Sequence, residues 1–439
     1  MFKNKRFGSY SIIFMVLGIL YMFFYSGLQN DHINILQPYL SSTYGWSDLQ
    51  ITNPVTYGSI VVIIFYLVCG VAFVKFGVKK FMVPSMIVLG LACCGIAFSG
   101  SNYTLYAISL FFVRVLVVPL QMGGFMLCAN WYIKYRGRVM GIITAGSPLF
   151  SVCGISILTK VSNNVGIKEA YIVMGVVVVV IGVVTGFFMK DTPEDAGLFP
   201  DGADKAPISE KDESEPISLK KLLSEARAWQ LIISYGIMQF VINAMMSYMA
   251  VRYISLSTEA DVPNLFVAKA LLWLSIGAIA GIPMSYVLGV IDDKLGSIKA
   301  SLVLNMLFFF AVIPLALMPV GGSVPLMVVW AFGVACMTGG VPTMHPCVTS
   351  YVYGRKHYQA ANKWIMTIQA IPFAFSVAFM AAFNQAGKLT TAYYVLMVLL
   401  VISFITILTM WKIPDANAAD RDYKSSKTDA ERLTAATKN

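Results

Sequence analysis

Runs of 20 or more mostly apolar residues alternate with short polar connectors along this chain, and the alternation recurs twelve times. A helix needs about 20 apolar residues to cross the hydrocarbon of a bilayer. In lipid only a helix or a closed barrel satisfies its own backbone. The pattern therefore predicts twelve spanning helices, over 11–38, 50–74, 81–100, 103–131, 138–161, 168–190, 228–253, 265–290, 298–319, 323–351, 358–386 and 389–412. Between the sixth and seventh lies a different texture, DGADKAPISEKDESEP, rich in Asp, Glu, Lys, Pro and Ser. Such a composition reads as a linker. Its last part, SLKKLLSEA, reads as a short interfacial helix capped by Ser218. The expected fold class is an all-α polytopic membrane protein. Two six-helix bundles (1–190 and 228–412) are joined by a linker (191–227) and followed by a tail (413–439).

Composition sharpens this. Hydrophobic residues make up 58% of the 439 residues and charged ones 12%, with mean hydropathy +0.73, more apolar surface than a soluble chain of this length can bury. The net charge of +10 does not describe a nucleic-acid face, because the basic residues sit in connectors. Of the 32 Lys and Arg, only Lys160, Lys168, Arg252 and Lys388 fall on the side opposite the termini, and Arg114 and Lys269 fall inside helices. The positive-inside rule then puts both termini in the cytoplasm and the protein in the cell (cytoplasmic) membrane. The seven cysteines lie in apolar segments and read as small buried residues, with neither zinc-ligand spacing nor a disulfide framework. No phosphate loop, H-E-x-x-H or G-x-S-x-G pattern occurs. The reading is of a non-enzyme with no cofactor and no metal, whose partners are lipid and a small molecule and which works as a monomer.

Two connectors share their punctuation. GVAFVKFGVKK begins at Gly70, and GVIDDKLGSIK begins 219 residues later at Gly289. At the same offset Lys75 matches Lys294, Gly77 matches Gly296, Lys80 matches Lys299 and Arg136 matches Arg355, which marks an internal repeat of six-helix halves. Two parallel halves suit alternating access around a site near the midplane, better than a fixed pore. The motif after the second segment, echoed after the eighth, resembles the signature loop of the major facilitator superfamily, and with the twelve spans the resemblance covers essentially the whole chain. It implies that these loops latch the halves in one access state. The first copy has Val74 where the pattern has aspartate, whereas the second keeps Asp293, so the resemblance puts the latch charge on the second loop. The basic loop residues also read simply as topology determinants. SGLQ (26–29), NWYIKYRGRVMGI (130–142) and PEDAGLFPDG (193–202) resemble the oxalate:formate antiporter-like and monocarboxylate porter branches, which implies a small organic anion as cargo. The basic pair that holds oxalate in that branch is missing here: Lys269 lies near the outer end of the eighth segment, and the eleventh offers Gln369.

A charge in a spanning helix costs about 2.5–3.5 kcal/mol on insertion scales, so the few present are informative. The first segment carries the densest polar cluster, Gln29, Asn30, Asp31 and His32. By helical rise Asp31 and Arg114 lie at similar depth in the outer half. The expectation is that they pair, and that protonation of Asp31 or His32 frees Arg114 to hold a substrate carboxylate. Two readings stay open beside it: the first helix ends early and leaves Asp31–His32 in a watery mouth, or Arg114 is structural. Lys269 reads as snorkelling to the headgroups. On the seventh segment Gln239 and Asn243 share a face. On the tenth, Thr338, Thr343 and His345 sit beside Pro342 and Pro346, with His345 equally readable as a hydrogen-bonded structural histidine. Arg114, Gln29, Asn30, Gln239, Asn243 and His345 are thus the candidate binding residues, and Asp31 and His32 the candidate proton-coupling ones. Gly70, Lys75, Gly77, Lys80, Gly289, Asp293, Lys294, Gly296 and Lys299 are the candidate gating-loop residues. The expected function is secondary transport of a small organic anion, coupled to protons or to anion exchange. Efflux of hydrophobic compounds is the alternative, and a non-transporting sensor is a third class.

Overall fold

The computed structural model describes residues 5–203, 218–256 and 263–417. It does not describe the side chains of Asn30, Asn34, Pro38, Asp48, Leu49, Ala250, Ile254, Lys356 and residues 263–271. The middle of the expected linker and most of the tail thus lie outside the described residues. Twelve helices are long and apolar enough to cross a membrane, and no strand occurs among the described residues. We number them α1–α12.

The helix α1 runs from Lys5 to Ser26, passes through a π-helical turn at Gly27–Asp31 and continues as Ile33–Tyr44. It therefore does not end early, and Asp31 sits within it. The helices α2 (Asp48–Phe76) and α3 (Val78–Ser99) follow. A reciprocal cap between Ser47 and Gln50 starts α2, which is why it begins before its apolar run does. The helix α4 comprises Tyr103–Leu116 and Val118–Trp131, with Pro119 just past the break. The helix α5 spans 136–164, with a second π-helical turn at Phe150–Gly154, and α6 is Ile167–Phe188. After a short surface helix, Leu219–Ser224, come α7 (Ala226–Ile254), α8 (Pro263–Leu295) and α9 (Ser297–Leu317). The helical stretch Val324–Gln385 turns sharply at Gly354 (φ 70°, ψ 168°) and supplies α10 (Val324–Arg355) and α11 (His357–Gln385). The last span, α12, is Leu389–Thr409.

The repeat legible in the connectors is present in the backbone. Gly77 and Gly296 each turn between consecutive helices with φ of 88° and 84°, a conformation that only glycine takes without strain. Buried apolar side chains gather in two clusters. One is drawn from α1–α6 and the following segment, the other from the short surface helix and α7–α12, while Cys347 and Met366 join the first. Outward-facing Val, Ile and Phe side chains such as Ile64, Phe187, Val328 and Ile405 are the lipid-facing surface that spanning helices require.

The segments that follow each half fold back on it. Asp201 accepts hydrogen bonds from the backbone of Ile133 (3.0 Å), Lys134 (2.7 Å) and Tyr135 (3.4 Å), holding the α4–α5 turn. Burial pushes its carboxyl above the ordinary value, and those three N–H groups oppose the shift. In the second half Asn417 does the matching job: it receives the Arg355 N–H at 3.1 Å and donates to the Ser350 carbonyl at 2.9 Å. Both straps lie at the end of the bundle that carries the linker, here called the linker end.

Candidate functional site

Arg114 is buried in α4, with 9% of its surface exposed. Its Nε donates to Ser59 Oγ of α2 at 2.9 Å, and its Nη1 donates to the Gln29 carbonyl of α1 at 2.6 Å. The route to α1 runs over Gly58, where an added Cβ would come within 2.8 Å of Arg114 Cγ. That carbonyl belongs to the π-helical turn, whose altered ladder leaves backbone oxygens open to side-chain donors. Tyr25 lies beside Arg114, within hydrogen-bonding range of Tyr66, Gln29 and Gln121, and Tyr66 donates to Gln121 at 3.2 Å. One guanidinium, two phenols and two amides thus meet between α1, α2 and α4.

The expected ion pair between Asp31 and Arg114 is not made. Asp31 accepts a hydrogen bond from Ser151 of α5 at 2.7 Å. Ser151 lies in the second π-helical turn, and the two turns pack so closely that a Cβ on Gly27 would collide with the Phe150 ring. Arg114 does reach α1 two residues before Asp31, at the Gln29 carbonyl. The extra residue in the turn rotates Asp31 toward α5, away from Arg114. His32 is also placed differently from the expectation. It is enclosed against α6, its Nδ1 2.8 Å from the Tyr171 hydroxyl, which is the arrangement of a structural histidine. The side chains of Asn30 and Lys269 lie outside the described residues.

The candidates of the second half form a separate polar chain. Gln239 donates to Gln369 Oε1 at 3.3 Å, and Gln369 donates to the Leu231 carbonyl at 3.0 Å. Asn243 donates to Ser376 Oγ at 2.7 Å. His345 is buried with its ring 5.3 Å from that of Tyr235, whose hydroxyl is 2.6 Å from Ser301 Oγ. Thr338 bonds within its own helix, whereas Thr343 meets Thr144 of α5 at 2.6 Å, across the two halves.

That contact belongs to a seam at the linker end. Gly137 and Gly289 touch backbone to backbone, since a Cβ on either would collide with the other's carbonyl. Asp293 accepts the Gly137 N–H at 2.8 Å and the Arg138 N–H at 3.2 Å, and its carboxylate stands 3.2 Å from Arg138 Nε. A carboxylate at the first N–H groups of α5 is favoured by the helix dipole. Arg136 reaches Ser350 of α10 at 2.7 Å, and Arg355 holds Glu194 through two bonds of 2.7 and 3.1 Å. Gly70 lies against the Lys363 side chain of α11. By contrast Lys75, Lys80, Lys294 and Lys299 point outward; Lys75 sits over the Phe76 ring and Lys299 over that of Trp411. Among the described residues the seam charges include Asp292, Asp293, Arg138, Arg136, Arg355 and Glu194, of which only Asp293 stood among the expected gating residues. Tyr66, Gln121, Ser59 and Ser151 were also missed. Their one available signal is a polar atom on an otherwise apolar spanning helix.

Twelve spanning helices in two repeated halves that meet along a seam define a multi-pass membrane transporter architecture. Residues 13–377 match the Major Facilitator Superfamily, and the chain belongs to it; its members are transporters, not enzymes. The uncharacterized MFS-type transporter YhjX of Escherichia coli K12 is 23% identical over 287 residues, 64% of this chain and 65% of that protein, so the match spans less than two thirds of the relative. Among solved structures, the proton:xylose symporter XylE bound to 6-bromo-6-deoxy-D-glucose superposes with a TM-score of 0.70 at 12% identity, covering 95% of this chain and 99% of the other. The E. coli fucose:proton symporter FucP superposes with a TM-score of 0.63 at 14% identity, covering 91% and 99%. At these identities the likeness is one of fold.

Proposed function

We propose that this protein is a secondary transporter that carries a small organic anion, a carboxylate, across the cell membrane by alternating access. Residues 1–190 and 228–412 are the two moving bodies, and both termini and the linker end face the cytoplasm. The observation that carries this reading is the Arg114 cluster. A full positive charge is held deep between α1, α2 and α4 beside the hydroxyls of Tyr25 and Tyr66 and the amides of Gln29 and Gln121. A guanidinium presents paired donors that match a carboxylate, and the phenols and amides fix the remainder of a small cargo. The contacts of the seam close the linker end, which in this reading is the cytoplasmic side. Asp31, held by Ser151 of α5, is the residue we assign to proton coupling; exchange against a second anion is the other coupling mode. Gln239, Asn243 and His345 line the opposing half and meet the cargo when the halves close.

The test is uptake of labelled carboxylates into proteoliposomes, with and without a pH gradient, set beside xylose and fucose. We expect saturable carboxylate flux and its loss, by about 100-fold or more, in Arg114→Ala that still inserts and folds. A charged anchor left without its partner typically costs several kcal/mol. Full carboxylate flux in Arg114→Ala, flux of the sugars alone, or export of hydrophobic compounds alone would each end this assignment.

A further inference from the structure

The end of the bundle opposite the linker carries a cleft in the first half that the Arg114 cluster does not use. The last stretch of α1, Ile33–Tyr44, runs beside the end of α3 and the start of α6. Two open-sided cavities of about 230 and 280 Å³ lie along it. Tyr39, Ile167 and Lys168 line both, so the cavities are one cleft divided at these residues. Its two sides differ in chemistry. Leu36, Leu40, Ile96 and Phe98 make the first mostly apolar, whereas Ser162, Asn163 and Glu169 line the second with oxygen acceptors. The Ser162 hydroxyl is buried and has no hydrogen-bond partner among the described residues. Glu169 leans back over Gly166, where an added Cβ would collide with its Oε2.

Lys168 lies over the Phe98 ring at 4.9 Å, and neither it nor Glu169 enters an ion pair among the described residues. Topology does not account for this lysine, because basic residues are scarce on its side: Lys160, Lys168, Arg252 and Lys388 alone fall there. The cleft stands at the level of lipid headgroups. The apolar span of α3 stops at Ser99, and that of α6 starts at Ile167. From Tyr39 a chain of ring contacts passes through Tyr44 and Trp46 to Tyr103, as aromatic side chains gather at a membrane–water boundary. Phe98, 61% exposed, carries the apolar wall outward toward lipid.

We propose that this cleft binds a phospholipid whose headgroup carries a primary ammonium beside its phosphate. The phosphate sits on Lys168, a point charge suited to it. The ammonium donates to the oxygens of Glu169, Ser162 and Asn163, which match its three N–H groups. An acyl chain lies along Leu36, Leu40, Ile96 and Phe98. A choline headgroup has no N–H to give these acceptors, and a glycerol headgroup brings no cation to Glu169. Snorkelling of Lys168 alone would attract any phosphate and select no headgroup. The bound lipid braces the last stretch of α1 against α3, α5 and α6.

The full-length chain, delipidated in detergent, is titrated with phosphatidylethanolamine, phosphatidylcholine and phosphatidylglycerol of the same acyl chains, and with water-soluble phosphoethanolamine. Retained lipid is read by native mass spectrometry and bracing by the melting temperature. The expected result is one retained phosphatidylethanolamine that raises the melting temperature and binds about tenfold more tightly than the other two lipids. Lys168→Gln should weaken all three lipids, phosphatidylethanolamine by about tenfold. Glu169→Gln should erase the preference among them. Lys388→Gln, exposed at the same end of the second half, should change neither. Equal retention of the three lipids by the parent chain overturns the proposal, and that comparison needs no variant to fold. A preference that survives Glu169→Gln, or binding that is unchanged in Lys168→Gln, also overturns it. Phosphoethanolamine binding as tightly as the lipid would make the occupant a soluble phosphate compound and overturn the lipid assignment.

Discussion

The linker end is closed by two seams that the internal repeat makes equivalent, and they are built differently. Between α5 and α8, Gly137 and Gly289 touch backbone to backbone, and Asp293 caps α5 while pairing with Arg138. Between α2 and α11, the matching glycine, Gly70, lies against the stem of the Lys363 side chain, and Val74 stands where the other copy has Asp293. One seam joins backbone to backbone and holds a carboxylate paired with Arg138; the other joins backbone to a lysine side chain. The difference teaches that a repeated motif need not do repeated work. The α5–α8 seam has the contacts that hold the closed form, and α2–α11 can slide with less to break.

The comparison can be broken most directly at the glycines. Gly289→Leu forces a side chain into the Gly137 backbone, which cannot yield, and should abolish transport by holding the linker end open. Gly70→Leu presses on the stem of Lys363 rather than on backbone and should cost less, since overpacking against side chains costs about 1–3 kcal/mol. Equal loss in a proteoliposome flux assay would show that the seams are alike after all. Next in size is Asp293→Asn, which weakens charge-assisted bonds worth about 1.5–3 kcal/mol each; N-ethylmaleimide labelling of the buried Cys347, made the only thiol, should rise about tenfold or more. Val74→Asp sharpens the contrast from the other side. It gives this copy the carboxylate that the other copy has at Asp293, so it should slow turnover and raise the melting temperature slightly, by a few tenths to about 1 kcal/mol of added stability. A faster carrier would contradict the role given to that position. The smallest change is expected for Lys75→Gln and Lys294→Gln, both exposed. Their flux should stay within about twofold of the parent, as is usual for substitutions at exposed positions.

The spans were legible because lipid imposes one rule on every residue between the headgroups, and apolar run length expresses that rule directly. The Gly77 and Gly296 turns were legible for a similar reason, as a positive φ leaves few residue choices. Rotation about the helix axes was not. Arg114 and Asp31 share a depth, yet a single extra residue in the turn at Gly27–Asp31 sends Asp31 to Ser151 and leaves the Gln29 carbonyl to Arg114. Nor could residue type separate Lys75, which points outward, from Arg138, which holds the seam. Both are basic connector residues, and only the packing of α5 on α8 tells them apart. Glu194 and Asn417 lie in polar stretches whose composition reads as linker and tail, so their caps and pairs across the seam leave no trace in hydropathy.

The paired π-helical turns at Gly27–Asp31 and Phe150–Gly154 have a consequence for how this chain tolerates change. Each absorbs one surplus residue within a single wide turn, so the helix beyond it keeps its phase. A one-residue deletion inside either turn should therefore leave the flanking helix facing as before, whereas the same deletion elsewhere in that helix would rotate everything beyond it by about 100°. What the deletion inside the turn removes is local: the open Gln29 carbonyl that Arg114 uses and the placement of Asp31 on Ser151.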